Sequence, residues 1–228
     1  MSLSEGHPAF PGTDIRRMTV LPVVVCLAAL VGLLFAERSG STRGKWLCKP
    51  LAAAAYVWAA LAWGALESTY GRWLLAGLVL CWWGDVLLIP RQRRAWFRAG
   101  ILAFLAGHLA YIAAFLHLRI GLLGLVMGNL MAAALVWLVW SWLGPRLPSD
   151  YRRLVAVYVI VICAMLVAAF AAADGVDRWA IALGATFFAV SDVSVARDRF
   201  VTKAFVNRAW GLPLYFAAQL ILASTVAS

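Results

Sequence analysis

Charge is scarce in this chain. Only 13% of its 228 residues are charged, and only ten of them are acidic. A water-soluble domain needs more polar surface than that. With 64% hydrophobic residues and a mean hydropathy of +0.87, the class that remains is a polytopic membrane protein. Cysteine is also sparse. Cys26, Cys48, Cys81 and Cys163 make no Cys-x-x-Cys spacing, which leaves neither a disulfide framework nor a zinc site. With three histidines, little is available for a metal centre, and neither a metal nor a cofactor is expected. The formal charge of +10 does not signal nucleic acid, because the basic residues fall between apolar runs rather than on one face. The N-terminus also lacks the small-residue cleavage site of a secretory signal, so the run from residue 18 reads as a first span.

What the chain does have is eight apolar runs, at about 18–36, 50–66, 73–90, 99–117, 120–143, 154–173, 179–196 and 209–227. Most match the roughly 20 residues that cross a bilayer. The expected fold is all-α: a transmembrane bundle of about eight spans forming one domain over residues 18–228, behind a loose polar tail at 1–17. The least secure boundary is near Arg119, where a short turn must link two antiparallel helices. Fifteen of the twenty Lys and Arg fall in the loops after the first, third, fifth and seventh runs. By the positive-inside rule those loops are cytoplasmic and both termini lie on the other side, in the inner membrane if the host is bacterial. Tryptophans 46, 73, 96, 142, 179 and 210 sit near run ends as interfacial anchors, and Trp58, Trp63, Trp82, Trp83, Trp137 and Trp140 lie deeper, where packing is expected.

Two acids break the apolar pattern. Asp85 lies in Cys81-Trp82-Trp83-Gly84-Asp85, and Asp192 in Phe188-Ala189-Val190-Ser191-Asp192, each about five residues before basic residues resume. A carboxylate at such depth is costly, which makes both functional-site candidates. The topology gathers other polar groups into the same half of the bundle: His108 and Tyr111 on the fourth span, Tyr158 on the sixth, Tyr215 and Gln219 on the eighth, and Lys49 at the mouth of the second. The opposite half is almost wholly apolar. Asp85 precedes His108 by 23 residues and Asp192 precedes Tyr215 by the same interval. That spacing allows two parallel four-helix halves, with the aspartates facing one another across a pseudo-twofold axis.

These residues also resemble a known family. Gly84-Asp85, then Gly107-His108-Leu109-Ala110-Tyr111, then Ser191-Asp192, then Pro213-Leu214-Tyr215 with Gln219, together with Lys49-Pro50-Leu51, resemble the YhhN-like lysoplasmalogenase family in their order. The resemblance runs from about residue 45 to the end. It implies an eight-span membrane hydrolase that takes a lysophospholipid from the bilayer and cleaves its vinyl-ether bond. The products would be a fatty aldehyde and glycerophosphoethanolamine or glycerophosphocholine. Val193-Ser194-Val195 departs from the apolar continuation expected there but leaves the aspartate in place.

The residues suit that chemistry. Vinyl-ether hydrolysis begins with protonation at carbon and passes through an oxocarbenium ion, which water captures. It needs a protonated acid beside a negative charge, and two neighbouring buried carboxylates supply both, as in glycosidases. One of Asp85 and Asp192 is then the acid and the other the stabiliser and base, with the sequence leaving open which. His108, Tyr111, Tyr158, Tyr215 and Gln219 would support the carboxylates or the glycerol, and Lys49 and loop arginines the phosphate. Each also has a plainer reading as interhelical glue, core packing or a snorkelling topology signal. Rival functions are a proton-coupled transporter and an intramembrane aspartyl protease. The chain has no Gly-x-Gly-Asp or Pro-Ala-Leu element to favour the protease.

Overall fold

The computed structural model describes residues 12–90, 93–173 and 179–227. Residues 1–11 of the expected tail, and the first two positions of the Arg91–Arg94 run, lie outside them. The described residues form eight α-helices: α1 (Gly12–Arg38), α2 (Thr42–Ala62), α3 (Thr69–Leu87), α4 (Arg94–Phe115), α5 (Leu122–Leu138), α6 (Ser149–Ala172), α7 (Trp179–Phe200) and α8 (Phe205–Ser224). No strand occurs among them. In lipid every backbone amide must be satisfied within its own segment, and a helix does that at any apolar sequence.

Helices α1, α4, α6, α7 and α8, and α5 together with the helical turns that continue it to Arg146, are each long and apolar enough to cross a membrane. The two others among the eight expected runs, α2 and α3, form helices of the same bundle but are not among these spans. The first turns of α2 hold Arg43, Lys45 and Lys49, and α3 holds Arg72 and Asp85.

The helices overrun the apolar pattern at one end of the bundle. Ser41 caps α2 by accepting a bond from the Gly44 amide at 3.2 Å, about two turns before the apolar run begins. Gly40, at φ 72°, turns the chain between α1 and α2. Lys49 therefore sits two turns inside α2 and is 6% exposed, not at its mouth. The matched depth expected for the aspartates changes for the same reason. α3 stops at Leu87, two residues after Asp85 and just ahead of Pro90. α7 continues eight residues past Asp192, because Arg197 and Arg199 in its last turn find partners there and suit a helix C-terminus.

Sequential helices pair as antiparallel hairpins: α1 with α2, α3 with α4, α5 with α6 and α7 with α8. The fourth helix of each half also packs on the second helix of the other, α4 on α6 and α8 on α2. That is the pairing expected of parallel halves. Small residues allow the close approach. A Cβ on Gly107 would lie 2.7 Å from the Cys81 sulfur across α3 and α4, and one on Gly184 would lie 2.8 Å from Leu222 across α7 and α8. The short link near Arg119 is as expected, with α4 ending at Phe115 and the Gly121 amide bonded to the Ala171 carbonyl at 2.8 Å. The deeper tryptophans differ from expectation. Trp58, Trp83, Trp137 and Trp140 are exposed on the outside of the bundle, because lipid is as apolar a neighbour for an indole as the core is.

Candidate functional site

The even-numbered helices begin, and the odd-numbered ones end, at the basic end of the bundle. There lies a cavity of about 610 Å³, with every helix from α2 to α8 contributing to its wall. The wall is mostly apolar, with Phe97, Ile101, Leu135, Val155, Val159 and Ile162 prominent. Lys49, Asp85, Tyr158, Asp192 and Tyr215 line it. His108, Tyr111 and Gln219 are fully buried and support it from behind.

The Asp85 carboxylate is held on both oxygens. Lys49 Nζ lies 3.1 Å from Oδ1 and also donates to the Asp85 carbonyl at 3.1 Å. Tyr215 donates to Oδ2 at 2.7 Å, and Tyr56 to the same oxygen at 3.2 Å. Behind Tyr215 a directed chain continues. Tyr111 donates to Gln219 Oε1 at 2.7 Å, and Gln219 Nε2 donates to the Tyr215 oxygen at 2.9 Å. Each member points its donor toward the carboxylate, an arrangement in which the bonds polarise one another.

Asp192 is built differently. Its side chain is 21% exposed, toward the cavity, and Tyr158 donates to Oδ2 at 2.7 Å. Among the described residues the nearest basic group is His108, whose Nε2 stands 4.0 Å from that oxygen. The His108 ring is wedged edge-on against Phe188 and Tyr158. Neither of its nitrogens makes a hydrogen bond of good geometry, although the Phe104 carbonyl one turn earlier is within electrostatic reach. No lysine or arginine pairs with Asp192, and no hydrogen bond joins it to Asp85, among the described residues. No group of three His, Cys, Asp or Glu gathers there as metal ligands either.

Two features were not read from the sequence. Tyr56 sits in a run of alanines on α2 and looks like core; its hydroxyl is the sole polar signal there. The cavity mouth is lined by Asp198, Arg199, Lys203 and Arg208. Arg208 bonds Asp198 at 3.2 Å and the buried Glu37 at 3.3 Å, and Lys45 meets Glu37 at 3.3 Å, which ties α1, α2, α7 and α8 together. Loop arginines are expected at the phosphate, but sequence spacing does not show which of the basic loops folds over a cavity.

A family model described as the YhhN family matches residues 44–226, the stretch that contains every residue lining the cavity. The chain belongs to the YhhN family. This YhhN-family chain is 34% identical over 160 residues to a bovine protein named lysoplasmalogenase TMEM86A, and 36% identical over 160 residues to its human namesake. It is 35% identical over 162 residues to a protein of Mycobacterium bovis named lysoplasmalogenase. Each match covers 66% of this chain, but only 63% of the two mammalian proteins and 59% of the mycobacterial one. No solved structure matches the chain.

Proposed function

We propose that this protein is a lysoplasmalogenase-like ether hydrolase. It takes a lysophospholipid from the bilayer and releases a fatty aldehyde and glycerophosphoethanolamine or glycerophosphocholine. The observation that carries the reading is the contrast between the two carboxylates on one apolar cavity: Asp85 is paired with Lys49, and Asp192 has no lysine or arginine partner among the described residues. The names of the relatives support it.

In this reading Asp192 carries the proton. Tyr158 occupies Oδ2, so Oδ1 delivers the proton to the outer carbon of the vinyl ether, and the electron pair of the double bond forms the new C–H bond. The oxocarbenium ion left behind is stabilised by carboxylate charge, as in glycosidases. Asp85, held by Lys49, Tyr56 and Tyr215, faces the developing cation and accepts a proton from the attacking water. The hemiacetal then collapses: its hydroxyl proton passes to Asp192 as the aldehyde forms, and the proton held by Asp85 passes to the departing glycerol oxygen, which restores both carboxyls. His108 keeps Tyr158 and Asp192 in place, and Gln219 and Tyr111 orient Tyr215.

The test is direct. The protein, purified in detergent, is incubated with vinyl-ether and ester lysolipids of matched chain length while free aldehyde is measured. Aldehyde from the vinyl ether is the expected result. Folded protein that yields none overturns the reading.

A further inference from the structure

We infer that the turn between α7 and α8 is a phosphate-binding element, with Arg199 and Lys203 as its anion ligands; for the identity of the lipid this rests on the reading above. Arg199 follows Asp192 on α7 by seven residues, which is two helical turns, or about 10 Å along the same face. Both line the cavity. That separation is what a glycerol bridge needs when its ether end is at Asp192 and its phosphate is at the mouth. The guanidinium of Arg199 is already oriented, lying 4.2 Å above the Phe97 ring and 3.4 Å from the Tyr151 hydroxyl. A planar fork fixed in this way loses little freedom on meeting a phosphate.

Lys203 also lines the mouth. It is exposed and pairs with no acid among the described residues. Arg208 is held by Asp198 and Glu37 and shapes the rim. Deeper in the cavity Lys49 is met by Asp85, and Asp192 has no lysine or arginine partner among the described residues. An anion is therefore favoured at the α7–α8 turn and disfavoured at the inner end, so the lipid enters with its phosphate outermost. The apolar wall beyond takes the chain.

The experiment measures binding rather than turnover, so that it stands or falls apart from the hydrolysis. Purified full-length protein is titrated with a non-hydrolysable 1-O-alkyl lysophospholipid, the matching 1-O-alkylglycerol, and inorganic phosphate. Native mass spectrometry reads occupancy. The phospholipid should bind at least about tenfold tighter than the alkylglycerol. Arg199→Gln should remove most of that difference, and Lys203→Gln about threefold of it. Neither should change alkylglycerol binding, and Arg199→Lys should recover part of the loss. Phosphate competing alone at the same residues identifies a site for free anion; phosphate failing to compete identifies a site for lipid phosphate. Equal binding of the two lipids overturns the proposal, as does a preference that survives both substitutions. Because Lys203 is exposed, its variant should remain folded even if loss of the Arg199 contacts unsettles α7.

Discussion

Tyr215 of α8 donates a 2.7 Å hydrogen bond to Asp85 of α3, although 130 residues separate them. Its counterpart by spacing, His108 of α4, stands 4.0 Å from Asp192 of α7. Each aspartate thus meets the fourth helix of the opposite half, and each also takes a tyrosine from the second helix of its own half: Tyr56 for Asp85, Tyr158 for Asp192. The repeated spacing of 23 residues is a crosswise exchange between halves. The halves differ in the residue from the fourth helix, tyrosine at Asp85 and histidine at Asp192, and in Lys49, which has no lysine or arginine counterpart at Asp192 among the described residues.

That cation leads to a stability prediction. Lys49 and Asp85 have side chains 7% and 2% exposed, so removing one partner leaves a buried charge uncompensated. Lys49→Met should cost about 3 kcal/mol or more, read as a fall in melting temperature in detergent by tryptophan fluorescence. Adding Asp85→Leu to Lys49→Met should recover much of the loss without restoring activity. A Lys49→Met protein as stable as the parent would show that the pair is not buried as described.

Helix contact can be tested away from the site. A Cβ on Gly184 would come within 2.9 Å of two Leu222 atoms. Gly184→Ala should destabilise by about 1–3 kcal/mol. With Leu222→Ala in the same chain the combined loss should fall short of the two single losses added, since the smaller side chain vacates the space. Strict additivity would mean that α7 and α8 do not pack at these positions.

Much of this architecture was legible before folding. Apolar run length located the helices because in a membrane length and hydropathy leave few alternatives, and the depth of Asp85 and Asp192 marked the cavity because few structural roles justify such acids. Helix ends were not legible, because α2 and α7 extend into polar sequence through Ser41 and the partnered arginines of α7. Lys49 was consequently misplaced by two turns. Tyr56 was missed because one hydroxyl does not disturb an apolar run. Loop arginines were expected at the phosphate, but which loop forms the mouth was not legible, because basic loop residues serve topology and ligand binding with the same composition.

Topology gives a further expectation. If all eight helices cross the membrane, both termini lie on one side, and the fifteen-to-five distribution of Lys and Arg puts that side away from the cytoplasm. Reporter fusions after Ser228 should be active only when the reporter works outside the cytoplasm. Activity of a cytoplasm-dependent reporter there would reverse the orientation.

Tyr158 tests the support of Asp192. Tyr158→Phe removes the 2.7 Å hydrogen bond and keeps the ring against His108. Loss of one bond to a carboxylate should lower kcat about tenfold with little change in stability. An unchanged kcat would detach Tyr158 from the chemistry.

The aspartates themselves decide the mechanism. Asp85→Asn and Asp192→Asn keep size and much of the hydrogen bonding while removing ionisation. The two should differ in stability: Asp192→Asn leaves no cation behind, whereas Asp85→Asn leaves Lys49 without its carboxylate and should melt lower. Both should lower aldehyde release at least about a hundredfold, the scale of a positioned acid or base. The double variant should be hardly worse than either single one, because groups that act as a unit are non-additive. His108→Ala should cost less than either, since the ring stands behind the wall rather than on it. Near-normal release from a folded Asp192→Asn protein would remove it as the acid, and the same result for Asp85→Asn would leave the ion pair with a structural role alone.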